Sequence, residues 1–256
     1  MKSTFVEIAG PARIHIRDAG AGTPLIFLHG GWGYEVYPFD SQIERLREQY
    51  RILIPDRSGY GQSPRITSLP PDFHRHAVAE TTQVLDALEI EQAVLWGHSD
   101  GAVIAALMGL ATPSRFSGLI LEAFHYTRAK TGSLDFFRKM IAEPYSVGGR
   151  AVAALARDHG EDWPGVLERN ATAWLQIVES GRGDLYDGKL SELAVPSLFI
   201  HGSRDPRTEP GDLEAIRREL PGAEVRIIDG AGHSPHSEPE SADECARIAA
   251  EFLAAI

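Results

Sequence analysis

Six short, almost unbroken apolar runs recur along the chain: Leu25 to Leu28, Ile52 to Ile54, Ala93 to Trp96, Leu119 to Leu121, Leu198 to Ile200 and Val225 to Ile228. Runs of this length without polar alternation fit strands covered on both faces, as in a parallel sheet between layers of helices. Parallel neighbours need crossovers, and helix-period patterns stand between the runs. Phe39, Ile43, Leu46 and Tyr50 share one face, as do Val78, Leu85 and Leu88, then Leu213, Ile216 and Leu220. Ahead of them, Phe5 to Ile8 and Ala12 to Arg17 alternate apolar and polar residues about Gly10-Pro11, the signature of a hairpin. The expectation is an α/β fold with a mostly parallel eight-stranded sheet and helices on both faces.

One stretch departs from this rhythm. From His125 to Leu190 no strand-like run occurs, and helical patterns run instead over Leu134 to Glu143, Gly149 to His159 and Asp162 to Ser180. A helical insertion between two parallel strands sits above the C-terminal edge of the sheet, where α/β folds build binding sites. Residues 1–124 and 191–256 are therefore expected to form the core and 125–190 a helical cap.

Composition narrows the partners. The formal charge of −11, from 36 acidic and 25 basic residues with no basic block, argues against nucleic-acid backbones and anionic membrane surfaces. The longest mostly apolar run, Ala102 to Ala111, is about half the ~20 residues of a membrane-spanning helix. Met1 to Gly10 carries no apolar signal-peptide core, so the expected compartment is the cytoplasm. The lone Cys245 lies on an apolar stripe with Ile248, Ala249, Phe252 and Ile256 and is expected to be a buried, inert thiol. The scattered His and Asp show no metal-ligand spacing, and the glycine-rich stretches lack a nucleotide-site setting, so neither a metal nor a cofactor is expected. A small-molecule substrate is expected, and oligomeric state is not set by the sequence.

The chemistry concentrates at Gly97-His98-Ser99-Asp100-Gly101, between a strand-like run and the helical run from Ala102. A serine on so sharp a turn needs small residues two positions to either side. Its hydroxyl is a poor nucleophile without a base, itself oriented by a carboxylate. Two loops that leave strand ends on the same edge offer these groups: Asp205 in His201-Gly202-Ser203-Arg204-Asp205 and His233 in Gly230-Ala231-Gly232-His233. His236 is the fallback base and Glu122 the alternative acid, while His98 should point into packing. Backbone amides of Asp100 and of Gly31, or else Trp32, in His29-Gly30-Gly31-Trp32-Gly33 are the expected oxyanion donors.

These motifs together, HGGWG at His29, DRSGYGQS at Asp56, GHSDG at Gly97, HGSRDP at His201 and GAGHS at Gly230, resemble the α/β-hydrolase superfamily in order and across nearly all of the chain outside the cap. The resemblance implies the α/β-hydrolase fold with an inserted helical lid, and the nucleophile, acid and base order Ser99, Asp205, His233. It implies an architectural role for Asp56 to Ser63, with Arg57 and Ser63 shaping the loop by hydrogen bonds.

A serine in the nucleophile position separates the chain from members that use aspartate there and implies hydrolysis of an acyl bond. GHSDG also resembles the corresponding motif of biphenyl hydrolase-like enzymes, which use that aspartate to hold the ammonium of amino-acid esters. The oxyanion loop matches that group less closely and is similar to the HGG loop of proline iminopeptidases. Asp100 is therefore the candidate for an amine-bearing acyl group, unless neighbouring side chains hold its carboxylate. Trp32, Tyr126, Trp163 and Trp174 are candidate substrate contacts, and Phe136, Phe137 and Tyr145 are further candidates for the pocket lining. The competing readings are a neutral carboxylesterase or lactonase, a C–C bond hydrolase with Arg128, Arg138 or Arg150 as its carboxylate-binding cation, and a non-catalytic hydrolase-fold receptor.

Overall fold

The computed structural model describes residues 1–9, 13–181 and 183–256. Strands β1 (Lys2–Glu7) and β2 (Arg13–Gly20) pair antiparallel, with Val6 opposite Ile14. The expected Gly10-Pro11 turn between them lies outside the described residues. The remaining strands are β3 (Thr23–Leu28), β4 (Tyr50–Pro55), β5 (Ala93–His98), β6 (Phe116–Glu122), β7 (Ser197–Gly202) and β8 (Glu224–Ile228). They form one eight-stranded sheet in the order β1-β2-β4-β3-β5-β6-β7-β8. Pairing is parallel from β4 through to β8.

Helices cover both faces. On one lie α1 (Asp40–Leu46) and α8 (Ala242–Leu253), on the other α2 (Phe73–Ala87) and α3 (Asp100–Ala111). Strand β5 explains the unbroken apolar runs: Val94 and Trp96 pack toward α1 and α8, Ala93 and Leu95 toward α2 and α3, and all six residues are buried. Edge strand β8 is the exception. It has one strand neighbour, and its Ile227 is 43% exposed, so the expectation of cover on both faces fails there. Tyr50 also departs from the helical face expected for it. The α1 helix stops at Leu46, and Tyr50 is drawn into β4 opposite Thr23.

Between β6 and β7 run α4 (Leu134–Ala142), α5 (Gly149–His159) and α6 (Trp163–Glu179), followed after β7 by α7 (Pro210–Glu219). Among the described residues from 125 to 190 the one strand-like pairing is an isolated bridge between Thr127 and Asp184. Asp158 at the end of α5 clamps this excursion to the core by accepting from Arg17 Nη2 at 3.1 Å and from the Tyr34 and Glu35 amides at 2.9 and 3.2 Å. No helix among the described residues is long and apolar enough to cross a membrane. Cys245 is fully buried on α8, and burial pushes its thiol well up from the ordinary value.

Candidate active site

Ser99 occupies the turn from β5 into α3 with φ 55° and ψ −117°, a conformation that costs a non-glycine residue about 1–3 kcal/mol. The turn closes because its flanks have no side chains. A Cβ on Gly97 would lie 2.1 Å from the Gly101 carbonyl oxygen, and one on Gly101 would lie 1.8 Å from that of Leu28. The Ser99 amide donates to the Glu122 carbonyl at 2.9 Å, which pins the turn to the end of β6.

Asp205 follows β7, and its carboxylate accepts from the Arg207 amide at 2.7 Å and Thr208 Oγ1 at 2.8 Å. It also takes His233 Nδ1, at 2.9 and 3.0 Å from its two oxygens. Burial alone would raise this carboxyl, but His233 and the hydrogen bonds outweigh it and hold the group well below the usual carboxylate range. With Nδ1 taken, the other ring nitrogen of His233 remains available to the cavity, where a base must present it. His98 does more than pack: its Nε2 donates to the His233 carbonyl at 3.0 Å, fixing the backbone of that loop. Burial, with His236 adding to it, lowers His98 to about 3, so the ring is neutral.

A cavity of about 190 Å³ lies between these strand ends and the helical excursion, and Ser99, His233, Gly31, Trp32 and Asp100 all line it. The loop bearing Gly31 and Trp32 is held from below by Arg57, whose Nη1 and Nη2 donate to the His29 and Gly30 carbonyls at 2.6 and 3.1 Å. Ser63 Oγ donates to the Asp56 carbonyl at 2.6 Å, so Arg57 and Ser63 shape their loop by hydrogen bonds. His159 Nε2 donates to the Trp32 carbonyl at 3.0 Å. The amides of Gly31, Trp32 and Asp100 donate to no backbone acceptor among the described residues, as an oxyanion site requires.

Asp100 is not an open anion. Asn170 Nδ2 donates to Oδ2 at 2.8 Å, Trp174 Nε1 to Oδ1 at 2.9 Å, and His74 Nε2 stands 3.4 Å from Oδ1. Burial opposes ionisation, but His74 and the donated bonds hold the carboxyl at about 2. Each oxygen accepts from α6, so the carboxylate fastens α6 over α3 while lining the cavity. The two alternative triad members are likewise drawn elsewhere. His236 Nδ1 donates to Glu122 Oε1 at 2.8 Å and its Nε2 to the Tyr37 carbonyl at 3.0 Å, so each has become the other's buried partner. His98, Glu122 and His236 do gather their ligand-type atoms within 4.8 Å of one another. With both His236 nitrogens donating, that ring has no lone pair to offer a metal.

Of the aromatic candidates, Trp32, Phe136, Phe137 and Trp174 line the cavity, whereas Tyr126, Tyr145 and Trp163 are not around it. Trp163 packs edge-on against Tyr145 with centroids 5.0 Å apart, and Tyr126 stacks on Tyr186 at 6.2 Å. The lid arginines named from sequence are also elsewhere. Arg128 donates to the Asp184 carbonyl at 2.7 Å, Arg138 is 65% exposed beside Asp135, and Arg150 is exposed. The cations of the cavity wall are Lys130 and Arg207, both missed by the sequence reading. So was His125, whose Nε2 lies 3.4 Å from Ser99 Oγ and whose ring is nearly parallel to that of His233, 12° apart. Its place three residues past Glu122, at the mouth of a strand, was the available signal. Burial, together with Lys130, pushes His125 well below its ordinary value, which keeps it neutral.

Residues 25–248 match the family model described as "Alpha/beta hydrolase family". The serine hydrolase BPHL of Homo sapiens is 22% identical over 258 residues, covering 98% of this chain and 86% of that protein. The pimeloyl-[acyl-carrier protein] methyl ester esterase of Nitrosomonas europaea is 27% identical, covering 91% of this chain and 98% of that one. Among solved structures, E-2-(acetamidomethylene)succinate hydrolase superposes with a TM-score of 0.78 at 19% identity and 98% coverage of both chains. With its sheet order and a family match over most of its length, the chain belongs to the alpha/beta hydrolase family and is a hydrolase.

Proposed function

We propose that this hydrolase is a serine esterase working through an acyl-enzyme. The observation that carries the reading is the strained Ser99 turn opening into the same cavity as an Asp205–His233 pair. Ser99 Oγ attacks the ester carbonyl carbon while His233 Nε2 takes the hydroxyl proton and Asp205 steadies the resulting imidazolium. The oxyanion is received by the amides of Asp100 and of Gly31 or Trp32. The carbon–oxygen bond to the leaving group then breaks as His233 returns the proton to that oxygen, releasing an alcohol. Water repeats the sequence on the acyl-enzyme, releasing the acid and restoring the Ser99 hydroxyl. Hydrogen bonds of this kind are often loose before substrate binds, and the contact of Ser99 Oγ with His125 is a resting arrangement compatible with the scheme.

The test is a fluorophosphonate probe on wild type and Ser99→Ala, followed by a panel of neutral esters, a lactone, an amide and a diketone acid. Serine-dependent labelling with ester turnover is expected. Absence of labelling would mean that Ser99 is not an activated nucleophile and that the cavity binds without turning over. Turnover confined to the diketone acid would make the enzyme a C–C bond hydrolase.

A further inference from the structure

One cation in the cavity wall forms no salt bridge among the described residues. Arg207, two residues past Asp205, lays its guanidinium on the Phe136 ring with Cζ 3.4 Å from the ring centroid. Phe136 in turn stacks on Trp32 at 5.9 Å, and Trp32 on Tyr37 at 5.9 Å, so the guanidinium ends an aromatic wall. Its Nη1 is buried with no hydrogen-bond acceptor among the described residues. Buried polar atoms of native proteins are nearly always paired, so an unpaired donor on a residue of the cavity wall calls for an explanation.

The other charges around the cavity are committed. Lys130 Nζ donates to Asp212 Oδ2 at 2.6 Å and to the Arg207 carbonyl at 3.2 Å, so it also fixes the segment that presents Arg207. Asp205 is bound to His233, and Asp100 to Trp174 and Asn170. Arg207 is thus a cation lining this cavity that meets no carboxylate within salt-bridge distance among the described residues. A guanidinium presents N–H donors in a planar fork that matches a carboxylate.

We propose that Arg207 is a specificity-determining residue that receives a carboxylate on the acyl part of the substrate, which makes the preferred substrate an ester of a short dicarboxylic acid with one carboxylate free. The aromatic wall holds the intervening methylenes, and the cavity, smaller than the roughly 300–1,000 Å³ of drug-sized sites, keeps the acyl chain short. This proposal rests on Ser99 being the nucleophile, and its test separates the two.

The experiment compares the 4-nitrophenyl monoester of glutaric acid with 4-nitrophenyl valerate, which share a leaving group and chain length and differ in the terminal charge. Wild type is expected to prefer the monoester in kcat/KM. Arg207→Gln is expected to lower that preference by about 10- to 100-fold, mainly through KM, with Arg207→Lys intermediate, as loss of a charge-assisted pair implies. Glutarate itself should protect Ser99 from the fluorophosphonate in wild type and protect the Arg207→Gln protein far less. Protection does not depend on turnover, and wild-type selectivity does not depend on how either variant folds. A wild-type preference for valerate, equal losses on both esters, or labelling that glutarate leaves unchanged would each overturn the proposal while Ser99 remains the nucleophile. Failure of the probe to label wild type would instead overturn the esterase reading.

Discussion

Asp205–His233 and Glu122–His236 use the same chemical pair at nearly the same distance, 2.9 and 2.8 Å, within one cluster at the C-terminal end of the sheet. They differ in where the second ring nitrogen goes. His233 keeps it for the cavity, and its side chain is 18% exposed. His236 donates its second nitrogen to the Tyr37 carbonyl and is completely enclosed. Burial opposes the charge on His236, yet Glu122 beside it raises the imidazole above its ordinary value, so the ring is held as a cation. A base needs a free lone pair within reach of substrate, and a structural cation needs both protons bound. Residue type alone does not separate the roles; the second contact does.

The comparison breaks most visibly if the two histidines are truncated. On the proposed mechanism, His233→Ala is expected to lower kcat/KM by about 10³–10⁴-fold with a melting temperature near that of wild type. His236→Ala should keep most of its turnover per folded molecule and lose stability instead. Equal losses of activity from both would erase the distinction.

Replacing the carboxylate of the enclosed pair gives the next largest effect. Glu122→Gln leaves a buried imidazolium unpaired and should cost about 3–5 kcal/mol in urea unfolding. A change below 1 kcal/mol would mean that the pair is neutral or hydrated.

The smallest effect sharpens the assignment of charge. Because the folded-state value of His236 is raised above 6.5, its stabilisation is complete below about pH 6.5 and is lost as pH rises through the raised value. Stability should therefore fall by up to about 1.4 kcal/mol per pH unit between 6.5 and the raised value, and no further beyond it. The lowered histidines His98, His125 and His201 act in the opposite sense, losing their contribution as pH falls below 6.5. Calorimetry between about pH 6.5 and 8.5 on wild type and His236→Gln isolates the slope. An unchanged slope in the variant would assign the charge elsewhere.

That Ser99, Asp205 and His233 come to one edge of the sheet was legible in the sequence, because each stands in a short glycine-bearing loop directly after an apolar run, and parallel strands deliver such loops to one edge. Trp163 and Trp174 illustrate the limit. Eleven residues apart on α6 they share a face, yet about 16 Å of helix separates them, and only the second reaches the cavity. Periodicity fixes the direction in which a side chain points, not what lies opposite that end of the helix. Asp100 illustrates the same limit in charge: its place beside the serine was plain, but its partners Trp174 and Asn170 come from a helix some seventy residues later.

The amino-acid pattern by itself determined the sheet, its two helical layers and the sharp turn at Ser99, because strand burial, crossover and glycine clearance are local or periodic properties of the chain. Packing of the excursion on the core decided the rest: which histidine faces the cavity, which donors meet the Asp100 carboxylate, and which cation of the wall meets no carboxylate. These depend on contacts between residues far apart in sequence, where a donor's meaning is set by the acceptor it does or does not meet.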